Sequence, residues 1–148
     1  MKKIIIFLFI FSNFVNITLG QVEFDKNDGY FQALKIHLDY LNLIQYNDEK
    51  IFIKKEKYIN EYSGELNGFN LVMISDKEIF RKTRNKKIIK VLKINELTFR
   101  DGNLETSIII YEVSRKKNNY ELVEKVKSKI RINYDCLENQ FQYKIIAN

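Results

Sequence analysis

The sequence contains no proline, one cysteine (Cys136), one histidine (His37) and five glycines in 148 residues. A single cysteine excludes an internal disulfide framework and any multi-cysteine zinc site, so stability has to come from packing. One histidine and one cysteine cannot supply the usual zinc ligand set, nor a Cys-His pair with a third orienting group. The glycines are Gly20, Gly29, Gly64, Gly68 and Gly102, which leaves no P-loop, no Gly-rich dinucleotide turn and no Gly-x-Ser-x-Gly elbow. No metal and no cofactor is therefore expected. We ascribe the lack of proline, alongside abundant Lys, Ile and Asn, to an AT-rich genome. Linkers, repeats and low-complexity blocks are also missing, and 45% hydrophobic content suits one core in one domain.

Long apolar runs are scarce. Residues 4–11 form one directly after Lys2 and Lys3, with Thr18 and Gly20 at the minus-three and minus-one positions of a cut before Gln21. This pattern predicts a signal peptide over residues 1–20 and a single domain over 21–148. The run is too short to span a bilayer, and Asn13 and Asn16 break the apolar pattern beyond it. Gln21 stands where a bacterial lipoprotein needs cysteine. The expected product is secreted or periplasmic, with no stable membrane insertion after leader cleavage.

Charge of one sign is also modest. The net charge of +6 falls to about +4 once the two leader lysines are removed. Basic clusters at 54–57, 81–90 and 115–117 lie at element ends and turns, where they solvate the protein. No nucleic-acid partner is expected, and weak affinity for anionic lipid or polysaccharide is the more reasonable use of this charge.

The chain is organised around residues 88–113, read as a long β-hairpin closed by Arg100-Asp101-Gly102-Asn103, whose Asp-Gly pair suits a type I′ turn. That turn pairs Phe99 with Leu104, Leu97 with Thr106, Ile94 with Ile109 and Leu92 with Tyr111. Phe99, Leu97 and Leu104 then share one face while Ile94, Ile109, Leu92 and Tyr111 share the other. A bulge near Asn95-Glu96 would reconcile them, and it implies a curved sheet able to hold a helix or enclose a pocket.

Asp28 suits the N-cap of an amphipathic helix over 29–44, with Tyr30, Phe31, Ala33, Leu34, Leu38, Tyr40, Leu41 and Ile44 on one broad apolar face and His37 at its centre. Residues 51–55 and 69–74 read as strands. Ser75-Asp76-Lys77-Glu78 is a capping box with an Ile74 to Ile79 staple, opening a short helix over about 76–85. Tyr120, Leu122, Val126, Ile130, Ile132, Tyr134 and Cys136 share one parity, which predicts one long strand with Cys136 pointing into the core. Glu121, Lys125, Lys127, Lys129, Arg131, Asn133 and Asp135 fall on its solvent face, although a hairpin turning at 127–129 fits the same residues. Phe141, Tyr143 and Ile145 close the sheet after a turn at 137–140. The fold class is thus α+β: an N-terminal amphipathic helix packed on a curved antiparallel sheet of about five or six strands, with one further short helix.

Residues 68–78, ending in Ser-Asp-Lys-Glu, the segment 93–104 and Tyr134-Asp135-Cys136 resemble those of uncharacterised secreted proteins of Bacteroidota-type bacteria. No activity comes with that resemblance. A helix lying in a curved sheet is also similar to the cystatin-like and nuclear-transport-factor-like cone folds, which host both enzymes and inert binding modules.

Asp39, Glu96 and Glu105 are the candidate acid/base carboxylates, yet nothing in the sequence brings two of them together. The functional expectation is an exported, non-catalytic binding or interaction module for a protein or small-molecule ligand. The alternative is a small pocket enzyme on the same scaffold, using His37 and a nearby carboxylate. His37 is the one nominated ligand-binding residue, as the polar group at the floor of a pocket. Filling of the concave face by Phe31, Leu34, Leu38 and Leu41 distinguishes the module from the enzyme, which needs that space open.

Overall fold

A computed structural model of the chain describes residues 28–48 and 50–147, and the leader and the cut before Gln21 lie outside the described residues. Two α-helices and eight strands succeed one another as α1 (Gly29–Leu43), β1 (Lys50–Lys54), β2 (Gly64–Leu66), β3 (Phe69–Ile74), α2 (Asp76–Lys82), β4 (Ile89–Ile94), β5 (Thr98–Arg100), β6 (Asn103–Lys116), β7 (Asn119–Asp135) and β8 (Gln140–Ala147). They build an α+β fold on one open sheet of order β2-β3-β1-β4-β6-β7-β8, with β5 pairing β6.

The sheet is mixed, with eight strands rather than five or six antiparallel ones. β1 runs parallel to both β3 and β4, whereas the remaining pairs are antiparallel. The parallel part arises because α2 carries the chain from β3 over β1 to β4, so β1 ends up between them. Its Ile-Phe-Ile run fits a strand covered on both faces: Ile51 and Ile53 pack towards α1, and Phe52 packs with Ile74, Ile79, Val91 and Val113 on the opposite side.

Helix α1 starts where its cap dictates. The Asp28 carboxylate accepts the amides of Tyr30 and Phe31, and its other oxygen accepts from Asn60 at 2.8 Å and from the Tyr62 hydroxyl. For α2 the capping box is complete: Ser75 Oγ accepts the Glu78 amide at 3.4 Å, and Glu78 accepts the Ser75 amide at 2.9 Å. This helix ends at Lys82, earlier than residue 85, because Thr83 turns its hydroxyl back to the Ile79 carbonyl at 3.0 Å and Asn85 takes a φ of 59°.

The central hairpin turns at Asp101 (φ 50°) and Gly102 (φ 78°), with Phe99 opposite Leu104. Further along, the register slips by one: Ile94 pairs Ile108 rather than Ile109, and Leu92 pairs Ile110 rather than Tyr111. Glu96 and Leu97 together oppose Thr106, so the extra residue sits next to the predicted position. The slip brings Leu92 and Ile94 onto the face that carries Leu97, Phe99 and Leu104. Thr106 Oγ1 donates to the Asn95 carbonyl at 2.6 Å, and the Leu97 amide donates to the Tyr30 hydroxyl at 3.1 Å, so backbone groups freed by the bulge are taken up.

Strand β7 is single and 17 residues long, without a turn at 127–129. Its constant parity does not mean a constant face. Ile110 pairs Val126 but Tyr111 pairs Glu124, leaving Lys125 as an extra residue. Val126, Ile130 and Ile132 therefore face α1, whereas Tyr120 crosses to the α2 side and donates from its hydroxyl to Asp76 at 2.5 Å. Cys136 is exposed, correcting the expectation of a core cysteine: β7 ends at Asp135, and the next residues form the turn into β8. Among the described residues no helix is long and apolar enough to cross a membrane.

Candidate functional site

The two faces of the sheet are furnished differently. On the inner face Phe31, Leu34, Leu38 and Leu41 are buried against Ile53, Leu92, Ile94, Ile108 and Ile130. His37 lies among them, fully buried, with Nδ1 2.9 Å from Ser128 Oγ and with Nε2 having no hydrogen-bond partner among the described residues. Burial lowers its pKa to about 4, so the imidazole is neutral at physiological pH. A buried Ser128 is out of reach of any substrate approaching from solvent, so this Ser-His contact satisfies polar groups within the core.

The outer face beyond α2 is polar and open. Beside the bulge at Glu96 and Leu97 lies a cleft of about 250 Å³ lined by Asn95, Glu96, Thr98, Glu105, Thr106, Ser107, Lys127 and Lys129. Glu105 lies at its base with its side chain only 5% exposed. Lys129 Nζ donates to its Oε2 at 2.6 Å, and Arg131 donates from Nε at 3.1 Å and Nη2 at 2.9 Å to Oε1. The Lys129 ammonium, then the Arg131 guanidinium, hold this carboxyl below the usual glutamate range against the opposing effect of burial. Glu105 is therefore an ionised anchor that orients two cations, and a poor proton donor at neutral pH. Asn95 and Ser107 are tied to each other, Nδ2 to Oγ at 2.7 Å, and Thr98 Oγ1 donates to the Glu105 carbonyl at 3.3 Å.

Of the three candidate carboxylates the cleft brings together Glu96 and Glu105, while Asp39 sits on α1 and accepts from Asn67 Nδ2 at 2.7 Å. A second cavity of about 270 Å³ lies beyond the end of α1, lined by Asn42, Tyr46, Asn47, Asp48, Gly68 and Phe69. Burial raises the Asp48 carboxyl, but the Lys90 ammonium 2.5 Å away and the Tyr46 hydroxyl together outweigh it and lower the pKa. His37 lines neither cavity. No group of three or more potential metal ligands occurs among the described residues.

Lys127, Lys129 and Arg131 read in the sequence as an ordinary solvent face. Their grouping around Glu105 depends on the second bulge: at the register set by the β6-β7 turn, Glu105 would stand opposite Ile130, and the extra Lys125 moves it opposite Arg131. The alternation of Glu105 and Ser107 on one face of β6 is the hint available from sequence.

Known proteins add no likeness. No family model matches the chain, and no curated protein and no solved structure matches it.

Proposed function

We propose that this is an exported, non-catalytic binding module whose ligand surface is the outer face of the sheet around the Glu105 cleft. The observation that carries the reading is the filling of the inner face. Phe31, Leu34, Leu38 and Leu41 occupy the space a pocket enzyme would need, and of the two polar cavities described above the bulge-lined cleft is the one that sets Lys127 and Lys129 beside an ionised Glu105. Its two ordered cations, hydroxyls and amides suit recognition, and the ionised Glu105 does not suit acid catalysis. Export rests on the leader pattern and on the resemblance to secreted Bacteroidota-type proteins. The alternative, an enzyme using His37 and a carboxylate, draws on the unpartnered Nε2 alone.

A panel of sugars, amino acids and organic acids screened by ligand-induced rise in Tm tests the proposal. Compounds that stabilise the protein should lose their effect in Ser107→Ala/Lys127→Ala and keep it in His37→Gln. A ligand effect lost in His37→Gln and kept in the cleft variant would replace this reading with the pocket enzyme.

A further inference from the structure

We infer that the ligand of this outer face is a linear acidic polysaccharide, seated along the cations that β4, β7 and β8 present around Glu105 of β6; the inference rests on the binding-module reading. Cross-strand pairing sets the rows. Lys93 and Lys127 flank Ile109 in the first, Ser107 pairs Lys129 in the second, and Glu105, Arg131 and Lys144 form the third, with Asn133 beside Gln142 at the end. Five cations share this surface with Glu105 and Glu96. Lys93, Lys127 and Lys144 form no ion pair among the described residues; Lys93 still acts on Asp76 at longer range, so Lys127 and Lys144 are the charges most available to a ligand.

The shape of the array selects the ligand. Same-face residues on a strand recur about every 6.8 Å, so Lys127, Lys129 and Arg131 make a line of positive charge rather than a point. A compact anion would meet Glu105 at the centre of the group, whereas a chain with a carboxylate on successive sugars can contact cations on either side of it. The line is finite, because Glu124 bounds it beyond Lys127 and Asp135, accepting from Gln142 Nε2 at 2.7 Å, bounds it at the other end. Thr98, Ser107, Asn133 and Gln142 supply neutral groups for sugar hydroxyls. No aromatic side chain belongs to these rows, so the stacking platform used for single-stranded nucleic acid is missing from them. Their one large apolar residue, Ile109, is 5% exposed, so the rows present no wedge for a lipid surface.

Fluorescence anisotropy with a labelled oligogalacturonate tests the inference on the purified protein. Binding should disappear in about 0.5 M NaCl, where screening is short-ranged. Lys127→Gln/Lys144→Gln should weaken it about tenfold or more with an unchanged unfolding midpoint, while Lys35→Gln/Lys57→Gln, which removes equal charge elsewhere, should weaken it less than about twofold. Equal binding of a neutral maltooligosaccharide, equal loss in the two variants, or no binding would overturn the inference. So would tighter binding to phosphatidylglycerol vesicles or to single-stranded DNA. In each case the module reading survives if a ligand from the Tm screen still depends on Ser107 and Lys127, and falls if the dependence moves to His37.

Discussion

His37 shows how one polar side chain in an apolar interface couples the fold to pH. Its imidazole is fully enclosed, is held by one hydrogen bond to Ser128 and has a pKa lowered to about 4. The unfolded chain, with an ordinary histidine pKa of about 6.5, takes up this proton first as pH falls. Stability from the neutral imidazole is thus complete above about pH 6.5, declines between there and about pH 4, and the decline ends below that, for a total of about 3 kcal/mol. Urea unfolding at pH 7 and pH 4.5 should show most of this loss in the wild type. His37→Gln, which cannot titrate, should retain only the smaller fall contributed by carboxylates such as Glu105, whose lowered pKa gives stability that is lost at still lower pH. An identical pH dependence in the two proteins would reject burial of His37.

Elements in this chain are set by their ends and by their irregularities. Helix α2 is only seven residues long, too short to persist on propensity alone, and depends on the Ser75-Glu78 box and on Ile79 packed against Ile74 and Val113. Ser75→Ala should cost about 0.5–2 kcal/mol in equilibrium denaturation. An unchanged midpoint would place the start of the helix elsewhere. The hairpin turn makes a second element-scale test. Nothing lies within 4 Å of a Cβ built on Gly102, so Gly102→Val meets no clash and its cost is conformational, from a β-branched residue at φ 78°. It should destabilise by at least about 1 kcal/mol, while the exposed Lys116→Ala stays within about 0.5 kcal/mol. Equal stability of the two variants would reject the turn.

At the scale of the molecule, one sheet separates a closed side from an open one. Helix α1 seals the inner face over most of the sheet, and α2 covers only part of the outer face, so the β6-β7-β8 portion there remains in contact with solvent. The proposed ligand surface is that uncovered portion for this reason. Export is the remaining expectation at this scale: material secreted through its own leader should begin at Gln21, as read by intact mass or N-terminal sequencing, and retention of residues 1–20 would overturn the leader assignment.

Local chemistry alone was enough for α1 with its Asp28 cap, the Ser75 box, the Asp101-Gly102 turn and the need for a bulge before Thr98, because each depends on side chains a few residues apart. Strand order, the parallel pairing of β1 and the cluster around Glu105 were decided by tertiary structure. A strand's alternation records which residues share a face, but not which neighbour that face meets, and one inserted residue reverses it. The extra residue at Lys125 turned Tyr120 away from Ile130 and aligned Glu105 with Arg131. The end of β7 likewise left Cys136 in solvent despite its core-like parity. Sequence therefore determined the pieces and their caps; the long-range register, set by packing on both faces at once, determined where the charged cleft formed.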